Sequence, residues 1–184
     1  MRLYTIGHST LPTGTFIGLL RQAGVQTVVD VRTSPYSRHA PQYCRRELAD
    51  ALAQAGIRYV YEGRALGGRP EQAAFYRKGA VPPDGAEYLE EVDYAAVMRA
   101  PWFLEGIERL LREAVAAPTA ILCSEADPGA CHRHHLIATH ILRKNPSIDV
   151  IHIVEQGSFS ARHLGSRADN PTVTMPSLFD DDAL

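Results

Sequence analysis

The stretch ILCSEADPGACHRHHLIATHI gathers Cys123, Glu125, Asp127, Cys131, His132, Arg133, His134 and His135 between an apolar run and a helix-like pattern. Such side chains suit proton transfer, thiol chemistry or the gripping of an anion. Asp127 followed by Pro128 reads as a helix start, because Asp is a favoured N-cap and Pro fits the first helical position. His132 and Arg133 then fall near the first turn, where a cation opposes the helix dipole by roughly 0.3–1 kcal/mol. A helix N-terminus with its free N–H groups is a natural anion site, so these cations make sense if a phosphate or carboxylate arrives there. The sequence predicts such an anion, held by Arg133.

Three other clusters could do chemistry. Asp30 and Arg32 stand two apart in an apolar run and share one face of a strand. Either they neutralise each other, as buried charges do, or Asp30 moves a proton while Arg32 grips an anion. His8 and Ser9 of GHST either line a site or make a turn. Gly67 and Gly68 of LGGR either permit a tight turn or let backbone approach a ligand; neither a G-x-G-x-x-G fingerprint nor a P-loop is present.

The three cysteines invite two more readings. Zinc sites are recognised by spacings such as C-x-x-C, which is absent, and Cys44 is remote in sequence, so no metal or other cofactor is expected. A thiol at Cys131, beside His132 and Arg133 at a helix start, would be activated. Cys123 at a strand end reads as a small buried apolar residue. His134 and His135 read as surface, and His140 as packing or surface.

Elements must position these groups. LYTI, TVVDVR, IRYVY, TAILC and DVIHIV read as strands. Between them lie TGTFIGLLRQAG, CRRELADALAQAG, PWFLEGIERLLREAVA and ACHRHHLIATHILRK, with apolar residues at helical spacing. Strands alternating with helices predict an α/β fold. Its sheet should be mainly parallel, of about five strands, with helices on both faces in three layers. The domain is expected over residues 1–155, with an irregular excursion at 62–100 and a weakly structured tail at 156–184. His8, Ser9, Asp30, Arg32, the glycine segment and Cys123–Glu125 would then collect at the carboxyl ends of the strands, where such sheets bind ligands.

The bulk numbers narrow the class. The chain has 184 residues, 45% hydrophobic and 22% charged, enough for one domain with a real core. A formal net charge of −2 argues against whole-surface nucleic-acid binding but allows a local basic site. The apolar runs are too short to span a membrane, and MRLYTIGHST carries no signal core, so a cytoplasmic protein is expected.

The order TIGHST, VVDVRTSPYSRHAPQY, GIRYVYEGRALGGRP and LLREAVAAPTAILCSEADPGACHRHHLIATHIL resembles the domain of unknown function 488 family over roughly residues 3–154. The resemblance implies a single α/β domain with a shared cluster at the strand ends. By position His8, Ser9, Asp30, Arg32, Pro35, Ser37, Gly67, Gly68, Cys123, Glu125, Cys131, His132 and Arg133 fall on its motifs. It assigns no reaction.

The leading expectation is an enzyme acting on an anionic, phosphorylated substrate, of the nucleotide or nucleic-acid-fragment kind, by carboxylate-assisted hydrolysis or transfer. Asp30, Glu125, His8 and His132 are the candidate catalytic groups; Ser9, Arg32, Ser37, Gly67, Gly68 and Arg133 are the candidate substrate ligands. The alternatives are a non-catalytic anion-binding module and a thiol or metal protein using Cys123 and Cys131. Near the C-terminus, Leu178 and Phe179 resemble the short Leu-Phe motifs that dock on bacterial sliding clamps. A weak contact of that kind is the partner reading for the tail.

Overall fold

The computed structural model describes residues 1–83, 86 and 88–164. Its frame is a six-stranded sheet in the order β3-β2-β4-β1-β5-β6. The strands are β1 (Arg2–Gly7), β2 (Thr27–Asp30), β3 (Arg58–Tyr61), β4 (Thr119–Cys123), β5 (Asp149–Val154) and β6 (Gly157–Ser160). The first five pair in parallel; β6 turns back antiparallel on β5. β2 and β4 are buried at every position, which explains why they read as continuous apolar runs rather than alternating ones.

Helices cover both faces. Between β1 and β2 runs α1 (Thr13–Gln22), and between β2 and β3 runs α2 (Arg45–Gln54). Their Phe16, Leu20, Leu48 and Leu52 pack with Val28 and Leu122 of the sheet. After β3 come the short helices α3 (Gly63–Leu66), α4 (Tyr88–Glu91) and α5 (Tyr94–Val97), and then the long α6 (Pro101–Ala116). Phe103 and Leu110 of α6 pack with Leu136, Ile141, Val29 and Ile121 on the opposite face. Val28 and Val29, like Leu122 and Ile121, point to different faces because side chains alternate along a strand. Each fully buried side chain of this size contributes about 1.5–3 kcal/mol.

Three expectations need correction. The sheet has a sixth strand, so the tail does not begin at 156. Phe159 of β6 meets His152 at 5.5 Å between ring centroids, and Ala161 is buried, which ties this segment to the domain. The excursion at 62–100 is not wholly irregular. It holds α3, α4, α5 and a bridge between Tyr76 and Val92.

The third correction concerns the helix expected at Asp127. Asp127 accepts from the Gly129 amide at 2.7 Å, but it caps only a 3-10 turn at Pro128–Ala130. The chain then extends at Cys131 (φ −138°, ψ 142°) before entering a π-helical turn, Arg133–Ala138, continued by α7 (Thr139–Lys144). Pro128 and Gly129 make a tight turn rather than a first helical turn. Leu178 and Phe179 lie outside the described residues.

Candidate active site

The connections after β1 and β2 leave toward the α1–α2 face, whereas that after β4 leaves toward the α7 face. Crevices at the carboxyl edge therefore flank β4 on both sides. One is closed by backbone: the His8 amide donates to the Cys123 carbonyl at 3.0 Å and the Ser9 amide to the Ser124 carbonyl at 2.8 Å. Ser9 adopts φ 45°, a left-handed turn held by that pairing. The other crevice, between the ends of β2 and β4, is open and is walled by the segment after β3.

Asp30 and Arg32 sit beneath this edge as a saturated ion pair. Arg32 Nε donates to Asp30 Oδ1 at 2.9 Å and Arg32 Nη2 to Asp30 Oδ2 at 2.6 Å. Oδ1 also accepts from the Arg32 amide, and Oδ2 from the Tyr59 hydroxyl at 2.7 Å. Arg32 Nη1 donates to the Tyr43 carbonyl at 2.8 Å and to His8 Nε2 at 3.1 Å. His8 stacks on Tyr43 at 4.1 Å and donates from Nδ1 to the Ser9 carbonyl at 2.8 Å. Burial first, and the Arg32 charge second, lower the His8 pKa to about 4. Asp30 is 0% exposed and Arg32 3%. The neutralising alternative therefore describes this pair, and His8 braces it through Arg32 Nη1.

Arg133 is also placed differently from expectation. Its guanidinium is wholly buried and donates to the Glu125 carbonyl at 2.5 Å and the Ala126 carbonyl at 2.8 Å. It ties the loop after β4 to the π-helical turn, and a Cβ on Gly7 would overlap that same Glu125 carbonyl. Two of its donors, on Nη1 and Nη2, are taken up by these carbonyls. Ser37 likewise serves its own loop, where its hydroxyl accepts from the Ala40 amide at 3.0 Å. Gly67 packs against Thr33 and the Gly63 carbonyl.

What converges on the open crevice is Cys123, Cys131 and His132. His132 Nδ1 lies 3.5 Å from Cys123 Sγ and 3.9 Å from Cys131 Sγ, and all three groups are buried. His132 Nε2 donates to the Val31 carbonyl at 3.2 Å, which leaves Nδ1 as the bare nitrogen. Gly68 lies flat on this imidazole, and a Cβ there would stand 2.6 Å from His132 Cγ. A hydrogen bond from Cys131 lowers the Cys123 pKa, aided by the Arg133 charge and the Glu125 and Ser124 amides. Burial, and that same bond, raise the pKa of Cys131. The two thiols are thus shifted in opposite directions, Cys123 down and Cys131 up.

Above them is a cleft of about 430 Å³, lined among others by Arg32, Thr33, Ser34, Gly68, Arg69, Tyr88, Cys123, Ser124, Glu125 and His132. Of the ten expected site residues, Arg32, Gly68, Glu125 and His132 line it. Arg69 and Tyr88 went unrecognised in the sequence. The Arg69 guanidinium stacks 4.4 Å over the Tyr88 ring, and no carboxylate among the described residues pairs with it. Burial, followed by the nearby Cys131, Cys123 and Glu125 charges, raises the Tyr88 pKa. Only the position of Arg69 just after the glycine pair could have signalled its place in the cleft.

His134 and His135 are not surface residues. His134 Nδ1 bonds His152 Nε2 at 3.1 Å, and His152 Nδ1 bonds the Thr5 hydroxyl at 2.7 Å. His135 Nε2 donates to the Gly129 carbonyl at 2.6 Å, holding the 3-10 turn against the helix. His140 packs edge-on against Phe103, as expected.

Fold and site define a doubly wound α/β protein with a cleft at the carboxyl edge of its sheet, lined by Cys123 and His132 with Cys131 behind them. The chain belongs to the family described as Domain of unknown function DUF488, whose model matches residues 13–139. The matched span contains the Asp30–Arg32 pair, both glycines and the whole Cys123–Arg133 motif. No curated protein and no solved structure matches the chain.

Proposed function

We propose that this protein is an enzyme that hydrolyses, or transfers a group from, a phosphorylated small molecule of the nucleotide or nucleic-acid-fragment kind. One observation carries the reading. A single cleft brings the Glu125 carboxylate, the buried Cys123 and His132, and the Arg69 guanidinium, which no carboxylate among the described residues pairs with, to the place where α/β sheets bind ligands. Its volume of about 430 Å³ suits a nucleotide-sized ligand.

The roles differ from those first expected. Arg69 takes the anion, with the Thr33, Ser34 and Ser124 hydroxyls beside it. Arg32 and Arg133 are committed elsewhere. Glu125 is exposed and acts as the proton-transferring carboxylate, because Asp30 is enclosed by its own donors.

The test is turnover of a panel of nucleotides and short oligonucleotides, read by chromatography, with Glu125→Gln and Arg69→Ala in parallel. Loss of a general base costs about 10²–10⁴-fold in rate. Glu125→Gln should fall in that range, and Arg69→Ala should raise KM. Binding without turnover by the parent would favour an anion-binding module. Equal turnover by Glu125→Gln would overturn the assignment of the base.

A further inference from the structure

The cysteine–histidine cluster has the geometry of a metal centre, although its spacing in sequence does not. We propose that Cys123 Sγ, Cys131 Sγ and His132 Nδ1 bind a zinc ion whose fourth position opens into the cleft.

The donor atoms of these residues all lie within 4.8 Å of one another. Zn–S bonds of about 2.3 Å and Zn–N bonds of about 2.0–2.1 Å make the S-to-N edge of a tetrahedron about 3.6 Å. The two S-to-N distances are 3.5 and 3.9 Å, so the donors already stand at the edge spacing of a tetrahedron. Cys123 and His132 line the cleft while Cys131 lies behind them, so a fourth ligand would come from the cleft side. Three protein ligands with one open position is the arrangement of catalytic zinc, and two Cys with one His is one of its known sets.

The surroundings fit. The Val31 carbonyl holds the proton on His132 Nε2 and turns Nδ1 to the sulfurs, the outer-sphere partner that ligating histidines have. The Arg133 amide points at Cys131 Sγ at 3.5 Å. Charge gives independent support. Zinc with two thiolates, a neutral imidazole and hydroxide carries a net negative charge of one. The Arg133 guanidinium is fully buried, its Nε has no hydrogen-bond partner, and no carboxylate pairs with it among the described residues. A zinc–hydroxide centre would supply its counter-charge.

The role of this ion rests on the hydrolytic reading above. Zinc lowers the pKa of a bound water to about 7. Glu125 accepts the proton, and the hydroxide oxygen bonds to the electrophilic carbon or phosphorus. The bond to the leaving group breaks, and the proton on Glu125 passes to that group. A new water then takes the fourth position.

The test uses the full chain, stripped with a chelator and titrated with Zn²⁺ or Co²⁺ alone. One equivalent should bind, and Co²⁺ should give tetrahedral d–d bands with a thiolate charge-transfer band. Cys131→Ser should weaken binding by about 100-fold or more, beyond the roughly 10–100-fold of losing an outer partner. A second readout needs no variant: Zn²⁺ should protect Cys123 and Cys131 from alkylation while Cys44 continues to react. Octahedral cobalt spectra, or equal labelling of Cys123 and Cys131 with and without Zn²⁺, would overturn the site. Metal binding without turnover of any phosphorylated compound would overturn the hydrolytic reading alone. Turnover undiminished in the stripped protein would overturn the role given to the metal alone.

Discussion

Gly68 and Asp30 show how much a single position decides here. A Cβ at Gly68 would meet the His132 side chain at Cγ, Cβ and Nδ1, all within 2.8 Å. Gly68→Ala must displace the imidazole, at about 1–3 kcal/mol for overpacking. Its larger effect should fall on the cluster: cobalt affinity is expected to drop about 10–100-fold, as for a lost outer-sphere partner. Unchanged cobalt affinity would show that the ring has room to move. Asp30→Asn removes the one carboxylate among the described residues that holds Arg32, which is 3% exposed. Breaking a buried pair costs about 3–5 kcal/mol. Urea unfolding of this variant should show a loss of that size; a midpoint within 0.5 kcal/mol equivalent, roughly the surface-substitution range, would return Asp30 to the catalytic candidates. Glu125→Gln, in contrast, should leave the midpoint in that range.

Between elements, the link from β1 through β5 to the π-helical turn is made of Thr5, His152 and His134. Burial, joined by the charges of His134, Arg133 and His135, lowers the His152 pKa to about 2. An unfolded histidine titrates near 6.5, roughly its model-peptide value. The unfolded chain therefore binds this proton first as pH falls, and stability is lost from about pH 6.5 downward until the folded pKa is reached. His8, lowered to about 4, acts in the same direction over a narrower window. Each should cost about 2–3 kcal/mol by about pH 4.5. Chemical denaturation across this range should show the decline, and His152→Gln should remove about one proton's worth of slope. A flat profile from neutrality to pH 5 would show that the imidazoles are not held neutral.

At the scale of the molecule, two apolar layers share one sheet, and the last strand closes one side of it. β6 pairs with β5 over Ile151–Val154, and Phe159 packs on His152. A chain ending at Leu164 and one ending at Val154 differ by this strand and the turn holding buried Ala161. Ladder hydrogen bonds contribute about 1 kcal/mol each net. The shorter chain should therefore unfold a few kcal/mol earlier in urea. Equal midpoints would mean that the domain is complete at β5.

The sequence by itself determined the parallel α/β order, because buried strands and amphipathic helices differ in period and in length. It also determined which edge carries the polar cluster, since the polar residues follow the apolar runs. β6 was hidden because GSFS is short and only half buried, with no apolar run to announce it. Which polar residues line the cleft was decided by tertiary structure. Asp30, His8 and Arg133 carry the right chemistry but do not line it, and partners from β3, the Arg32 side chain and the loop after β4 take up most of their donors and acceptors. His134 and His135 looked exposed because the π-helical turn that directs them inward leaves no mark in residue type. Cys123 and Cys131 lack zinc spacing along the chain. The extended residue at Cys131, between the 3-10 turn and the helix, folds the second thiol back toward the first and sets His132 against Gly68. That return of the backbone is a property of three dimensions, and it turns separated residues into one set of donors.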